Sequence, residues 1–450
     1  MAEPYDLIVI GSGTAAQVAI ARVRARGWRV AVIDHRPFGG TCALRGCDPK
    51  KMLFSGEEAV DAAKRMHSRG VDGELRIDWP ALIAFKRGFT DPIPAKQAAR
   101  YDALGVDAYR GLARFTAPDK IKVEGREIVG RHILIATGAS PAPLGIPGEE
   151  LISTSDDFLE LETLPRRILL IGGGYIAAEF SHLAARAGAD VTILQRGARL
   201  LPKFDANLVD WLMPSFNALG ITVHSGVTAN SVTVTNDRLT VHATYPNAAP
   251  ITVTADLVVH AAGRVPELAS LNLAAGDVAV DRGRLRLTPG LQSVSNPRVY
   301  AAGDAAGSGP PLTPVSSHDA KIVAANILDG ADAQPDYYGV PSVAFTVPPI
   351  AAVGLSEADA HAKGLRFRVN AASVPEWFTA RRLNEAVYGY KVLIEEETDL
   401  ILGAHLVGPS ADEVINLFAL AIRNGLSAQA LRETMFAYPT AASDVGYMLA

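Results

Sequence analysis

This chain of 450 residues has only two cysteines, so no disulfide framework holds it together. Both thiols lie in one segment, Gly39-Gly40-Thr41-Cys42-Ala43-Leu44-Arg45-Gly46-Cys47-Asp48-Pro49-Lys50-Lys51. A staple between residues this close would remove little unfolded-chain entropy, and an isolated, closely spaced thiol pair reads as redox-active. Net charge is also scarce, formally −5 at pH 7, which gives no electrostatic footprint for nucleic acid or an anionic membrane. No apolar run is long enough to span a bilayer, and no basic-then-apolar leader stands before the first strand. A cytoplasmic protein is expected, with neither membrane nor nucleic acid as a partner. No low-complexity segment interrupts the sequence and no resident metal site is expected. The hydrophobic content of 48% can fill the cores of several domains.

What is present is a dinucleotide-binding pattern, and it occurs twice. The apolar strand Tyr5–Ile10 runs into Gly11-Ser12-Gly13-Thr14-Ala15-Ala16 and a helix extending to about Arg26. A second strand, 29–33, is closed by Asp34. The first glycine permits the tight turn and the second lets backbone amides approach a pyrophosphate. Ala16 takes the close-packing position, and Asp34 is placed to hold a ribose hydroxyl. The unit recurs at 167–171, where Gly172-Gly173-Gly174-Tyr175-Ile176-Ala177-Ala178-Glu179 opens the helix and 190–194 forms the next strand. Two such units imply two dinucleotides on one chain.

Between them, residues 50–100 read as helices. One should start at Asp78-Trp79-Pro80, where Asp caps and Pro fits the first turn. Short strands fill 106–135 and lead to Ala136-Thr137-Gly138, and further strands alternate through 221–263. Residues 333–341 turn polar, with Pro and Tyr, as a linker would. The remaining segment mixes strands at 343–345, 390–395 and 400–407 with amphipathic helices near 411–425 and 427–435.

The Cys-x4-Cys segment comes with Ala136-Thr137-Gly138, Gly174-Tyr175-Ile176-Ala177-Ala178-Glu179, Gly263-Arg264-Val265-Pro266, Tyr300-Ala301-Ala302-Gly303-Asp304, Leu312-Thr313-Pro314-Val315 and Phe345-Thr346-Val347-Pro348. In this order the motifs resemble those of the flavoprotein disulfide reductases, the family of glutathione reductase, dihydrolipoyl dehydrogenase and mercuric reductase. The resemblance covers essentially the whole chain. It implies an α/β protein with two Rossmann-like dinucleotide-binding domains, for FAD and NAD(P)H, and a C-terminal α+β dimerisation domain. The corresponding segments are 1–150 for the first part of the FAD domain, 151–270 for the NAD(P)H domain, 271–333 for the return to the FAD domain and 334–450 for the dimerisation domain. A homodimer is implied, with the active site shared between subunits.

The same resemblance implies a relay from nicotinamide to flavin, from flavin to Cys47, and by disulfide exchange from Cys42 to a small-molecule substrate. FAD would be held by Gly11, Gly13, Ala16, Asp34 and Thr41. It would also meet Thr137, Gly138, and Ala113 beside Gly111 at the adenine. Asp304 would accept a hydrogen bond from the ribityl chain. Thr313-Pro314 reads as N-cap and first helical residue, which with Val315 would aim a helix N-terminus at the flavin pyrimidine edge. Lys50 matches the lysine that pairs with the glutamate at Glu179, since a buried charge needs a partner. Tyr175 matches the tyrosine that covers the flavin. A helix start with Lys50 and Lys51 behind it should lower a thiol pKa. The second dinucleotide would lie on Gly172, Gly174, Ile176 and Gly263. There the strand ends at Gln195-Arg196, with Arg199 and Lys203 following. An acid for a 2′-hydroxyl is missing and a cation for a 2′-phosphate is present, so NADPH is expected rather than NADH.

The sequence departs from the family pattern near residue 438. Where a His-Pro pair would protonate the departing thiolate, this chain has Tyr438-Pro439, with Ser443 at the glutamate position and Asp444 beside it. A phenol, with a pKa of about 10, is a weak acid beside imidazole. Tyr438 then occupies the catalytic position, and His318 reads as an ordinary helix residue. The expected substrate is a disulfide, of thiol or thione type, whose leaving sulfur is already acidic. A metal ion is an alternative, although the additional C-terminal cysteine pair of mercuric reductase is missing. A quinone reduced directly at the flavin is another, and a flavin redox sensor without turnover is a different class again. Arg45, between the cysteines, either binds an anionic substrate group or stays a solvated helix residue. If it binds one, Arg45→Ala is expected to raise KM for anionic substrates and spare flavin reduction by NADPH. Steady-state kinetics with charged and neutral analogues checks this, and an unchanged KM ends the anion role.

Overall fold

The computed structural model describes residues 3–450. They form two compact units, each assembled from three stretches of chain. One contains the residues through Lys51, Ala84–Ala142 and Arg264–Tyr337; the other contains Met52–Ile83, Pro143–Gly263 and Tyr338–Ala450. Among the described residues no helix is long and apolar enough to cross a membrane.

The first unit is built around β1 (Tyr5–Ile10), α1 (Thr14–Arg24) and β2 (Val30–Asp34). β1 pairs in parallel with β2, Leu7 opposite Val30 through Ile10 opposite Ile33, and on its other edge with Arg126–Ile135. Asp107–Arg110 extends the sheet beyond β2, and Val299–Ala301 pairs with Arg126–Ile135. Leu7, Ile8 and Val9 are all fully buried. Successive strand residues point to opposite faces, so this sheet is covered on both sides, which is why β1 reads as an unbroken apolar run. α1 buries Ala15, Ala16, Ala19, Ile20 and Val23 and packs on helix Thr313–Asp329.

The cysteine segment folds as a short helix, α2 (Gly40–Arg45), followed by α3 (Cys47–Met66), with Gly46 breaking the chain between them. Helix Trp79–Thr90 begins where Asp78 accepts a hydrogen bond from the Ala81 amide at 3.1 Å, the expected cap, a class of interaction contributing about 1 kcal/mol.

The second unit contains a parallel four-stranded sheet in the order Thr222–Ser225, Asp190–Gln195, Arg167–Ile171, Leu257–His260. Helix Tyr175–Arg186 follows its glycine turn, so strand, turn, helix and strand repeat the first unit's plan. A three-stranded antiparallel meander accompanies it. The C-terminal part is a five-stranded antiparallel sheet covered by Ala411–Asn424, which buries Val414, Ile415, Phe418 and Ile422.

A buried charge cluster holds this second unit together. Arg186 donates to Glu57 at 2.8 Å, to Asp61 at 2.7 Å and to the Val347 carbonyl at 3.1 Å. Glu57 and His182 are wholly buried, and the Val347 amide donates to His182 Nδ1 at 3.2 Å. Burial pushes the Glu57 carboxyl up from 4.5 to about 8, against the pull of Arg186. Between these two values the folded protein keeps a proton that the unfolded chain has released. The stabilisation is therefore full below the unfolded pKa and is lost as pH rises through the folded one. In chemical denaturation between about pH 6 and about pH 9, wild type is expected to lose stability relative to Glu57→Gln. A difference independent of pH would mean that Glu57 does not titrate in this range.

Candidate active site

The site in the first unit starts from backbone contacts that only glycine allows. Gly11, at the end of β1, has φ +107°, and a Cβ there would lie 2.2 Å from the Ala136 carbonyl oxygen. Gly40, the first residue of α2, has φ +78°, and its Cβ would lie 2.3 Å from Gly13 Cα. Asp34 at the end of β2 accepts from the Ser12 amide at 2.9 Å and from its hydroxyl at 2.6 Å. Ser12 Oγ in turn accepts from the Gly39 amide at 3.1 Å. Turn, acid and α2 are thereby locked into one frame.

A long cleft follows this frame. Gly11, Gly13, Asp34, Thr41, Ala113, Thr137, Gly138, Asp304 and Thr313 all line it, with Cys42 and Cys47. Ala16 and Val315 are buried and are not among the residues that line it. Thr137 Oγ1 is buried and has no hydrogen-bond partner among the described residues. Burial pushes the Asp304 carboxyl up, opposed by the charge of Arg264. A dinucleotide fits these residues: glycine-opened backbone for a pyrophosphate, an orphan hydroxyl and an acid along the wall, and the thiols in the same cleft.

The thiols are chemically unequal. Cys42 is half-buried in α2, whereas Cys47 is exposed at the N-terminus of α3, where the helix dipole favours an anion. Thr313 Oγ1 donates to Cys42 Sγ at 3.1 Å and lies 3.4 Å from Cys47 Sγ. The hydrogen bond from Cys42 lowers Cys47 to about 6, helped by Thr313 and the charge of Lys50. That same bond, with burial, pushes Cys42 up. The bias runs one way, favouring the anion on Cys47 and the proton on Cys42. Thr313 is the first residue of its helix, with Leu312 in the cap position and no side-chain cap. The expectation that Thr313 caps this helix is therefore corrected, because its hydroxyl is engaged by sulfur.

The remaining expected residues lie in the second unit, apart from Lys50. Gly172 has φ +117°, with a Cβ position 2.2 Å from the Ala261 carbonyl oxygen, and Gly174 precedes helix Tyr175–Arg186. Tyr175 and Ile176 are half-buried, Tyr175 edge-on to Phe204 at 5.5 Å. Glu179 is buried and accepts from the Phe345 amide at 2.9 Å. Gln195 folds back to donate to the Arg199 carbonyl at 3.1 Å, while Arg196, Arg199 and Lys203 are exposed. Gly263 follows the parallel sheet with φ +112°. Tyr438 is 79% exposed. Asp444 is buried and accepts from Tyr388 at 2.8 Å. In the first unit, His318 Nε2 accepts from the Asp336 amide at 3.0 Å, a structural role. Sequence reasoning missed Ser12, Gly40 and Asp48. Asp48 adjoins Cys47 in sequence, but its contact is with Cys42, whose Sγ lies 4.0 Å from Asp48 Oδ1.

Residues 5–320 match the family model described as pyridine nucleotide-disulphide oxidoreductase, and residues 340–448 match that of its dimerisation domain. Mercuric reductase of Staphylococcus aureus is 34% identical over 444 residues, covering 97% of this chain and 80% of that protein. Glutathione reductase of Burkholderia cepacia is 32% identical over 446 residues, 98% of this chain and 97% of that one. Among solved structures, the Cu(II) complex of the HOCl-induced flavoprotein disulfide reductase RclA from Escherichia coli aligns with a TM-score of 0.89. Its identity is 27%, over 100% of this chain and 99% of that one.

Removing the Thr313 hydroxyl should weaken the thiolate. In Thr313→Val the Cys47 titration is expected to move upward, read from the pH dependence of alkylation in the reduced protein. An unmoved midpoint would show that the hydroxyl does not tune the pair.

Proposed function

Since this chain belongs to the pyridine nucleotide-disulphide oxidoreductases, flavoprotein enzymes that use FAD and NAD(P)H, we propose that it reduces a small disulfide with an acidic leaving sulfur, at the expense of NADPH. Bound FAD supplies the two-electron chemistry between nicotinamide and dithiol. The chain's own residues do the rest. Gly11 and Gly13 let the backbone approach a pyrophosphate, and Asp304 offers an acceptor along the cleft. Lys50 and Thr313 favour the anion on Cys47, while Cys42 carries the proton and attacks substrate.

The observation that carries this reading is the unequal placement of the two thiols: Cys47 is exposed at the N-terminus of α3, Cys42 is half-buried in α2, and Thr313 Oγ1 lies 3.1 Å from the sulfur of Cys42 and 3.4 Å from that of Cys47. Disulfide exchange needs an attacking sulfur and a resolving thiolate with distinct duties. NADPH is supported by a strand ending in buried, uncharged Gln195 and followed by exposed Arg196. An acidic leaving group is supported by Tyr438, because a phenol gives little general-acid help at neutral pH. The dimerisation-domain match, with Met435 98% and Tyr438 79% exposed, supports a homodimer in which this segment completes the partner's site.

The test is anaerobic NADPH oxidation against alkyl disulfides, acidic-thiol and thione-derived disulfides, mercuric and cupric ions, and quinones. Turnover is expected with acidic-leaving-group disulfides and is expected to vanish in Cys42→Ser. Turnover that survives this substitution, with metals or quinones preferred, would overturn the proposal.

A further inference from the structure

The proposed reaction leaves a proton without a carrier. Cys42 must lose one to attack, and the first sulfur expelled gains from taking one up the more basic it is. Phenols as a class are weak acids, His318 is held by the Asp336 amide, and Asp444 is held by Tyr388. The Cys42 thiol, which donates to Cys47 at rest, has a second acceptor within reach. Its Sγ lies 4.0 Å from Oδ1 of Asp48, while Thr313 Oγ1 donates to the same sulfur at 3.1 Å. Asp48 stands in the first turn of α3 and is exposed, open to an incoming substrate.

We propose that Asp48 is a catalytic residue that takes the thiol proton of Cys42 and delivers it to the first departing sulfur. The proposal rests on Cys42 being the attacking sulfur. As the proton moves to Asp48, the Cys42 sulfur forms a bond to one substrate sulfur and the substrate S–S bond breaks. The expelled thiolate takes the proton from the Asp48 carboxyl and leaves as a thiol. The Cys47 thiolate then attacks Cys42 Sγ, the mixed disulfide breaks, and the second substrate sulfur leaves as a thiolate. Two electrons have passed from the dithiol to the substrate, and Cys42–Cys47 is a disulfide. In the first step one negative charge moves from carboxylate to sulfur, so the local charge is conserved. The titratable groups around Asp48 are Cys42 and Cys47, with Lys50 in the same turn and Arg45 at the end of α2. Burial pushes the Asp48 carboxyl up, which narrows its mismatch with a thiol.

The holoenzyme carrying Asp48→Asn tests this, with an alkyl disulfide such as bis(2-hydroxyethyl) disulfide and an aryl disulfide such as 5,5′-dithiobis(2-nitrobenzoate). The kcat/KM for the alkyl substrate is expected to fall about 10²-fold, the size of a lost general acid–base, and the aryl value far less. Asp48→Glu should recover part of the alkyl rate. In Asp48→Asn the alkyl rate should also climb with pH as Cys42 ionises without help. Equal losses on both substrates, or no loss, would overturn the role of Asp48. Cys42→Ser, run in parallel, separates the two ideas. If it abolishes turnover while Asp48→Asn matches wild type, only the Asp48 role fails. If turnover survives in Cys42→Ser, the attack by Cys42 fails and the role of Asp48 with it.

Discussion

Gly13 and Gly40 meet backbone to backbone, with no room for a side chain on Gly40, and the rest of the site is registered to that contact. Gly13 belongs to the turn that opens α1, and Gly40 begins the helix that carries Cys42. Ser12 ties the same turn to Asp34 and Gly39 through three hydrogen bonds. The distance between a bound pyrophosphate and the thiols is therefore set by main-chain geometry, which shifts less than side chains do. Preorganisation of this kind matters because electron and sulfur transfer both lose rate steeply when reacting atoms are misplaced.

On that frame, proton placement separates the duties of two chemically identical side chains. A helix start, one hydroxyl and one lysine bias Cys47 toward the anion, and the remaining proton stays on Cys42. The second unit manages a proton differently. There a fully buried carboxyl, Glu57, is kept near neutrality while Arg186 satisfies Asp61 beside it. Burial dominates at Glu57, whereas the hydrogen bond between the sulfurs dominates at the thiols.

Much of this could be read from residue order. β1 was legible because a doubly covered parallel strand is apolar throughout and ends in a glycine turn. Asp78 was legible because its cap is local, within three residues. Strands Ile350–Gly354 and Phe367–Ser373 were not. The first has alanine or glycine at three of its five positions, and the second is an edge strand with exposed polar residues, so neither shows the β-rich pattern that marks a strand. Thr313 was misplaced by one residue because Thr-Pro suits both a cap and a first turn, and its true partner is a sulfur 271 residues earlier. Asp48 escaped for a related reason: the break at Gly46 turns its carboxylate back toward the other cysteine, a fold-back that spacing alone does not reveal.

Arg186 also bears on how the protein is made. Its contacts reach 125 residues back to Asp61 and 161 residues forward to Val347. At translation speeds of roughly 5–20 residues per second, Arg186 waits about 8–30 s on the ribosome before Val347 is synthesised. Through that interval Glu57 and Asp61 have their arginine, but the arginine lacks the Val347 carbonyl to which it also donates. Both units are assembled from three separated stretches, so neither can close until late in synthesis. The order of synthesis, and not only the final contacts, therefore sets when each core can be completed.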